Sequence, residues 1–443
     1  MSEDTYLTQV LDCAERRGAV AEASLSIAHS SELVAVNGRV DRSGGGHSAT
    51  VALWTWRDGH EGYLVCTPDT PPQLAVEQAL ELGERLAPRG PLPATPVAGG
   101  TAAAVAPGLD PTPAEEMAEA LRKLSAEPHE RSGLRAELRV QTQHREVHLR
   151  HSRGFAGSYQ DSTAALQVRV GAQGSGVGFG VDERFGRSVP RLLDGPAAEA
   201  MREAEEEALA HSGAGLLEGA PATVVLHGRV AAALLGLLAP TLMLDSVRQQ
   251  RSRWAERTGE RVAARGLSIT EDVTLDDAPL WAPFDDEGTS TRSVRLVDDG
   301  VLEGFLSDRR TAMEAGAAST GSGWRGPRGE MPSVRAGCLV LAGGDALATQ
   351  VDRGEDADAL WVTQAQGMHM ANEVTGDFSF GASGLLVGSS GRSRPVRGFT
   401  VAGNVHQLMD QVEATGRLLR FSRGWGGFLA APDLRVRGLS LGA

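Results

Sequence analysis

Two stretches hold residue types whose spacing permits chemistry. In His144-Arg145-Glu146-Val147-His148 a carboxylate lies between two imidazoles four residues apart. On a helix the histidines would share a face and could chelate zinc. The flanks argue for a strand instead. Leu138, Val140, Val147 and Leu149 are spaced as in a strand and Ser152-Arg153-Gly154 closes the segment. At roughly 3.3 Å per residue the two histidines then fall about 13 Å apart, beyond one ion bound at about 2 Å per ligand. A solvated strand with room for a bulge is expected, and a metal site of His144, Glu146 and His148 is the lesser alternative. Phe284-Asp285-Asp286-Glu287-Gly288 concentrates three carboxylates that could hold calcium or act as an acid–base pair. It lacks the alternating oxygen ligands of an EF-hand loop, so it reads as a turn whose carboxylates engage the backbone and face a basic partner.

Other candidates carry less. Gly171–Gly180 (GAQGSGVGFG) and Gly321–Gly326 (GSGWRG) are glycine-rich, but neither ends in the Lys-Ser/Thr of a phosphate loop. Flexible loops lining a cleft are expected there. His369 and His406 are single histidines without carboxylate or cysteine neighbours, so structural roles are expected.

The elements that must position these residues follow from composition and periodicity. At 443 residues the chain exceeds one ordinary core, and a formal charge of −14 argues against a nucleic-acid partner. Cys13, Cys66 and Cys338 are scattered and odd in number, as for unpaired thiols in a reducing compartment. The acidic, amphipathic start lacks the pattern of a signal peptide and no apolar run reaches membrane-spanning length, so a cytoplasmic location is expected. Lys123 is the only lysine among 43 basic residues, a bias of the coding sequence.

Apolar periodicity predicts helices over Tyr6–Arg17, Pro72–Leu86 (buried through Leu74, Val76, Ala79 and Leu82), Thr112–Ser125 with Thr112-Pro113-Ala114-Glu115 as capping box, Gly195–His211 and Val230–Leu238. Strands are expected at Ala23–Ala28, Glu32–Val36, Ala49–Trp56, Gly62–Cys66, Leu138–Leu149, Leu166–Val170, Ala222–Leu226, Val273–Leu275, Ser293–Val297, Val301–Leu306 and Leu339–Leu341. Asn37-Gly38, Asp58-Gly59 and Asp299-Gly300 should turn hairpins. From Gly367 to Gly403, glycine-punctuated apolar runs predict consecutive strands. The fold class is α+β: an N-terminal α/β domain of antiparallel strands with flanking helices, residues 1–215, and a C-terminal β-rich domain, residues 216–443.

With these motifs in order, the chain resembles the TldD/PmbA family, also called the modulator-of-gyrase family, over almost its whole length. The matching features are Phe284-Asp285-Asp286-Glu287-Gly288, Asp299-Gly300-Val301-Leu302, Ser319-Thr320-Gly321 and Met331-Pro332. The strongest is the run from Gly381-Ala382-Ser383-Gly384 through Pro395-Val396-Arg397-Gly398 to Ala402-Gly403-Asn404. The resemblance implies a metallopeptidase system in which a TldD subunit carries HExxxH and takes a third zinc ligand from a C-terminal cysteine, and a related TldE or PmbA subunit lacks them. Counting from Val224-Val225-Leu226 and Leu234-Leu235, the motif positions here hold Gly236, Leu237 and Thr241, and no cysteine follows Cys338. The family therefore implies a non-catalytic subunit with no metal of its own, zinc in a TldD-like partner, and peptide or peptide-like substrates. The apolar helix Val230–Leu238 would have a packing role, against the partner's equivalent helix. Asp286, Glu287, Gly381 and Ser383 are the candidates for a substrate cavity or interface. A stand-alone, homodimeric peptide-binding or scaffold protein is the alternative.

Overall fold

The computed structural model describes residues 3–442 apart from 93–94, 96–102, 107–112, 174–175, 220, 222, 327–328, 345–346, 348–350, 352–358, 389–392 and 425. The first half is built on long antiparallel strands. Helix α1 (Glu3–Arg16) leads into β1 (Val20–Val36), β2 (Arg39–Arg57) and β3 (His60–Cys66), then α2 (Pro72–Glu84), β4 (Ala103–Val105) and α3 (Ala114–Ser132). The strands β5 (Arg135–His151), β6 (Ala156–Gln173) and β7 (Val177–Gly186), the short α4 (Val189–Leu193) and α5 (Pro196–Ser212) follow. The sheet order is β3-β2-β1-β5-β6-β4, with β7 also on β6. Asn37 (φ 47°) and Gly38 (φ 79°) turn β1 into β2, and Asp58 (φ 52°) and Gly59 (φ 82°) turn β2 into β3. Two consecutive positive φ angles are what a two-residue hairpin loop requires.

The strands run further than periodicity suggests. β1 passes unbroken through His29-Ser30-Ser31, where two separate strands were expected, because β2 and β5 pair it along that stretch. One face of this sheet carries two apolar patches. Leu25, Leu53, Ala23 and Val51 pack beneath α1 and α2, and Leu33, Leu138, Leu166 and Val168 beneath α3 and α5.

Several expectations need correction. Leu74 and Leu82 are exposed, and α2 buries Ala75, Val76, Ala79, Leu80 and Gly83. Small residues face the sheet because a Cβ on Gly62 would sit 1.7 Å from the Ala79 carbonyl. A similar close approach explains two glycines of the run 171–180, expected to be a loop: residues 171–173 end β6 and 177–180 begin β7, 174–175 lie outside the described residues, and Cβ atoms on Gly178 and Gly180 would lie 2.0 and 1.9 Å from the carbonyls of Ala208 and Ala204 on α5. Pro113 precedes α3 without a side-chain cap, and Thr112 lies outside the described residues.

The second half wraps two sheets around α6 (Gly228–Leu238). One has six strands, in the order Val301–Leu302, Val294–Asp298, Leu267–Glu271, Cys338–Gly343, Gly427–Ala431 and Arg420–Gly424. The other has eight and includes Thr223–Leu226, Ala359–Gln366 and the antiparallel pair Asp377–Val387 and Ser393–Asn404. Gly384 belongs to that pair, and its bare Cα fits where a Cβ would lie 1.8 Å from the Trp361 carbonyl. Gly391 falls outside the described residues. Val273–Leu275 is a turn and not a strand, apolar because Val273 is buried in the core between the halves. Val301–Leu306 is a strand only at Val301–Leu302. Gly323–Trp324, expected in a loop, is buried and pairs with Ser333–Val334. Among the described residues no helix is long and apolar enough to cross a membrane.

Candidate functional site

The positions at which a metal motif would stand are the last turns of α6 and the 3₁₀ turn after it, Ala239–Leu242. His227 opens α6 as its cap, its Nδ1 accepting from the Arg229 amide at 3.3 Å, and Pro240 ends it. Gly236 and Leu237 lie inside the helix, Leu237 is 6% exposed, and Thr241 is 4% exposed with its carbonyl accepting from Ser252 Oγ at 2.7 Å. None of the three carries an imidazole, carboxylate or thiolate. As placed, no three His, Cys, Asp or Glu side chains of the described residues converge to hold a metal ion. Zinc needs three protein donors in an open catalytic site, so the residues at these positions do not fit it.

All of α6 except Arg229 and Ala233 is buried, against the strands Ala359–Gln366, Arg420–Gly424 and Gly427–Ala431 and the helix Val405–Asp410. The expectation that its apolar face meets a partner's helix is thereby corrected: the chain's own core consumes that face. Arg229 ties the first turn of α6 to the first half. Its Nε donates to the Thr363 carbonyl at 2.8 Å, its Nη2 to Glu207 on α5 at 2.7 Å, and its Nη1 to the Val181 carbonyl on β7. A cavity of ≈ 250 Å³ lies beside the end of the helix, lined among others by Pro240, Asp245, Ser246, Arg251, Arg335 and Glu373. Two carboxylates and two guanidiniums suit it to a polar chain segment. Burial raises the Asp245 carboxyl above its ordinary range.

The carboxylates of residues 285–287 lie elsewhere, at the seam between the halves. Asp285 is 1% exposed and accepts from the amides of Glu287 (3.0 Å), Thr289 (2.8 Å) and Gly323 (2.8 Å). Asp286 accepts from the Arg325 amide at 2.8 Å. Glu287 accepts from the Arg309 amide at 2.7 Å, and its other oxygen lies 3.7 Å from Arg309 Nε. Arg309 in turn reaches Glu22 on β1 at 2.6 Å and stacks 5.3 Å from the Trp54 ring. Arg325 donates to Tyr63 Oη at 3.1 Å. Burial pushes Glu287 up to about 7 while Arg309 pulls it down, and Asp285 is raised by burial and by Glu287. Arg310 pairs with Glu61 in the same seam.

Glu22, Glu61, Arg309, Arg310 and Tyr63 were not signalled by the sequence, and Arg325 only as part of the glycine-rich run 321–326. The one further cue was Glu22 between the apolar Ala21 and Ala23, since a carboxylate there needs a buried partner. Gly381 and Ser383 stand on Asp377–Val387, where Ser383 Oγ donates to Gln364 Oε1 at 3.3 Å. Among the described residues no hydrogen bond or ion pair joins them to Asp286 or Glu287. His144, Glu146 and His148 lie on β5, which pairs with β1 and β6 without a register shift, and His148 Nε2 meets Glu146 Oε1 at 2.8 Å. His406 is 9% exposed, beside Trp254, and burial lowers it to about 4.

Comparison with known proteins locates these features in a family. Residues 219–443 match the PmbA/TldA metallopeptidase C-terminal domain. The chain belongs to the TldD/PmbA family. It is 29% identical over 259 residues to a metalloprotease TldD homolog of Haemophilus influenzae, covering 55% of this chain and 50% of that one. It is 26% identical over 218 residues to metalloprotease PmbA of Escherichia coli O157:H7, covering 49% and 46%. The chain spans about half the length of the curated relatives it matches. Its fold is similar to that of a putative modulator of a DNA gyrase from Thermotoga maritima (TM-score 0.86, 20% identity, 99% of this chain and 100% of that one). It is equally similar to TldE from Thermococcus kodakarensis (TM-score 0.85, 18% identity, 99% and 100%).

Proposed function

We propose that this chain is a non-catalytic subunit of a TldD/TldE-type heterodimeric zinc metallopeptidase acting on peptides or peptide-like biosynthetic intermediates. The observation that carries the reading is the occupancy of the motif positions. Gly236, Leu237 and Thr241 provide neither zinc ligands nor a general base, and they sit in a packed helix of a TldD/PmbA-family chain. Zinc, the activated water and the base would come from a TldD-like partner. No metal of its own is required of this chain, whose part is to close the cavity beside Pro240 and restrict entry to extended chains. On this reading the assembly is cytoplasmic.

We also propose the division at residues 1–215 and 216–443; the strand Gly215–Leu216 at this boundary already pairs with the second half's strand Ser393–Asn404. Asp286 and Glu287 then act by fixing the two halves, and Gly381 and Ser383 by shaping the sheet. The test is reconstitution. Purified alone, the chain cleaves no peptide; mixed with a TldD-like chain carrying HExxxH, it raises cleavage, and a chelator abolishes that activity. Zinc-dependent cleavage by the lone chain would overturn the reading. No gain on mixing, with a stable homodimer that binds peptide, would favour the scaffold alternative.

A further inference from the structure

The histidine motif on β5 belongs to a larger arrangement that the proposed function leaves unused. His29 of β1 lies directly opposite His47 on β2 and directly opposite His144 on β5. Side chains at directly opposed positions point to the same face. Three imidazoles therefore stand in one row across three strands. The rings of His29 and His47 have centroids 4.6 Å apart and are tilted by 53°. Two histidines sharing a tetrahedral ion at about 2.0–2.1 Å per bond place their ring centres about 5 Å apart.

The row's surroundings suit a cation. On the same face one flanking row consists of Glu146, Ile27 and Ala49, and the other of Thr142, Ser31 and Gly45. None of these is cationic, and Glu146 supplies a negative charge next to the row. The row falls in the gap between the two apolar patches, Leu25 and Val51 on one side and Leu33 and Val140 on the other. His29 and His47 are exposed and His144 is half-buried.

We propose that His29 and His47 form a two-imidazole chelate for a late first-row divalent ion, zinc, nickel or copper, with His144 as a third arm. Imidazole is a suitable donor for these ions. As placed, no three donors of the described residues converge. The third contact therefore follows from rotation of the His144 ring when the ion binds, with water filling the remaining positions. This site is independent of the peptidase reading, since it lies on the first half and uses no residue of α6.

The test is a calorimetric titration of zinc and of nickel into the tag-free full-length chain after chelator treatment. The expected result is one ion per chain. His29→Gln and His47→Gln, both at exposed positions, each weaken binding by at least about tenfold, and His144→Gln weakens it by several-fold. His369→Gln, at an exposed histidine outside the row, leaves binding unchanged. Circular dichroism of each variant checks the fold. No uptake by wild type below millimolar ion overturns the proposal. So does an affinity unaltered by any one of the three row substitutions.

Discussion

Arg309 is 6% exposed and holds together carboxylates from the two halves of the chain, Glu22 and Glu287. A buried pair contributes little net stability relative to apolar residues of the same volume, but removing one partner leaves the other charge stranded. Arg309→Met should therefore cost roughly 3–5 kcal/mol, read as a lower urea midpoint. Adding Glu22→Gln should recover part of that loss, because the two positions are coupled. Glu271 provides a separate reading. It is 1% exposed, accepts from the Gly337 amide at 3.1 Å, and burial pushes it up to about 8. Its folded value lies above its unfolded one, so the native state is favoured below pH ~4.5 and loses that advantage as pH rises toward about 8. Glu271→Gln removes the titration. Relative to wild type it should gain roughly 3–4 kcal/mol between pH ~5 and ~8, measured by denaturant unfolding at both values.

Among the elements, the contact of α5 with β7 depends on the absence of side chains. A Cβ on Gly180 would lie 1.9 Å from the Ala204 carbonyl, whereas one on Gly213 would meet nothing within 4 Å. Gly180→Ala should destabilise by about 3 kcal/mol through overpacking, with Gly213→Ala near neutral as control; thermal melts of the two variants decide. These contacts also mark what the sequence could convey. Asn37-Gly38, Asp58-Gly59 and Asp299-Gly300 were legible because the backbone conformation they adopt is a local property of those residue types. Residues 177–180 look like loop in the sequence because the reason for Gly178 and Gly180 is a helix some thirty positions later. β1 was divided in the reading because His29-Ser30-Ser31 interrupts its apolar pattern, and only pairing with β2 and β5 carries the strand through. The seam was legible in part. The turn of residues 285–287 announced its carboxylates, but Glu22 and Arg309 are 287 positions apart and no local pattern links them.

For the whole molecule, one core draws on both halves. Val147, Leu149, Phe155 and Tyr159 pack with Phe284, Trp324, Cys338 and Phe428. With the seam of buried ion pairs beside it, this should make unfolding a single transition in scanning calorimetry; two resolved transitions would mean that the halves are stable separately. The packing of α6 has a further, historical consequence. Leu237 is sealed among the apolar residues of the second half, and Leu237→Glu alone would bury a carboxylate there at a cost of several kcal/mol, on the order of 3. Each intermediate on a path to a metal-binding helix would therefore be less stable than its starting point, while the ligand it introduced would still lack companions. Under the non-catalytic role proposed above, this packing works as a ratchet: further change within that role is open, and every step toward zinc chemistry at this helix runs uphill.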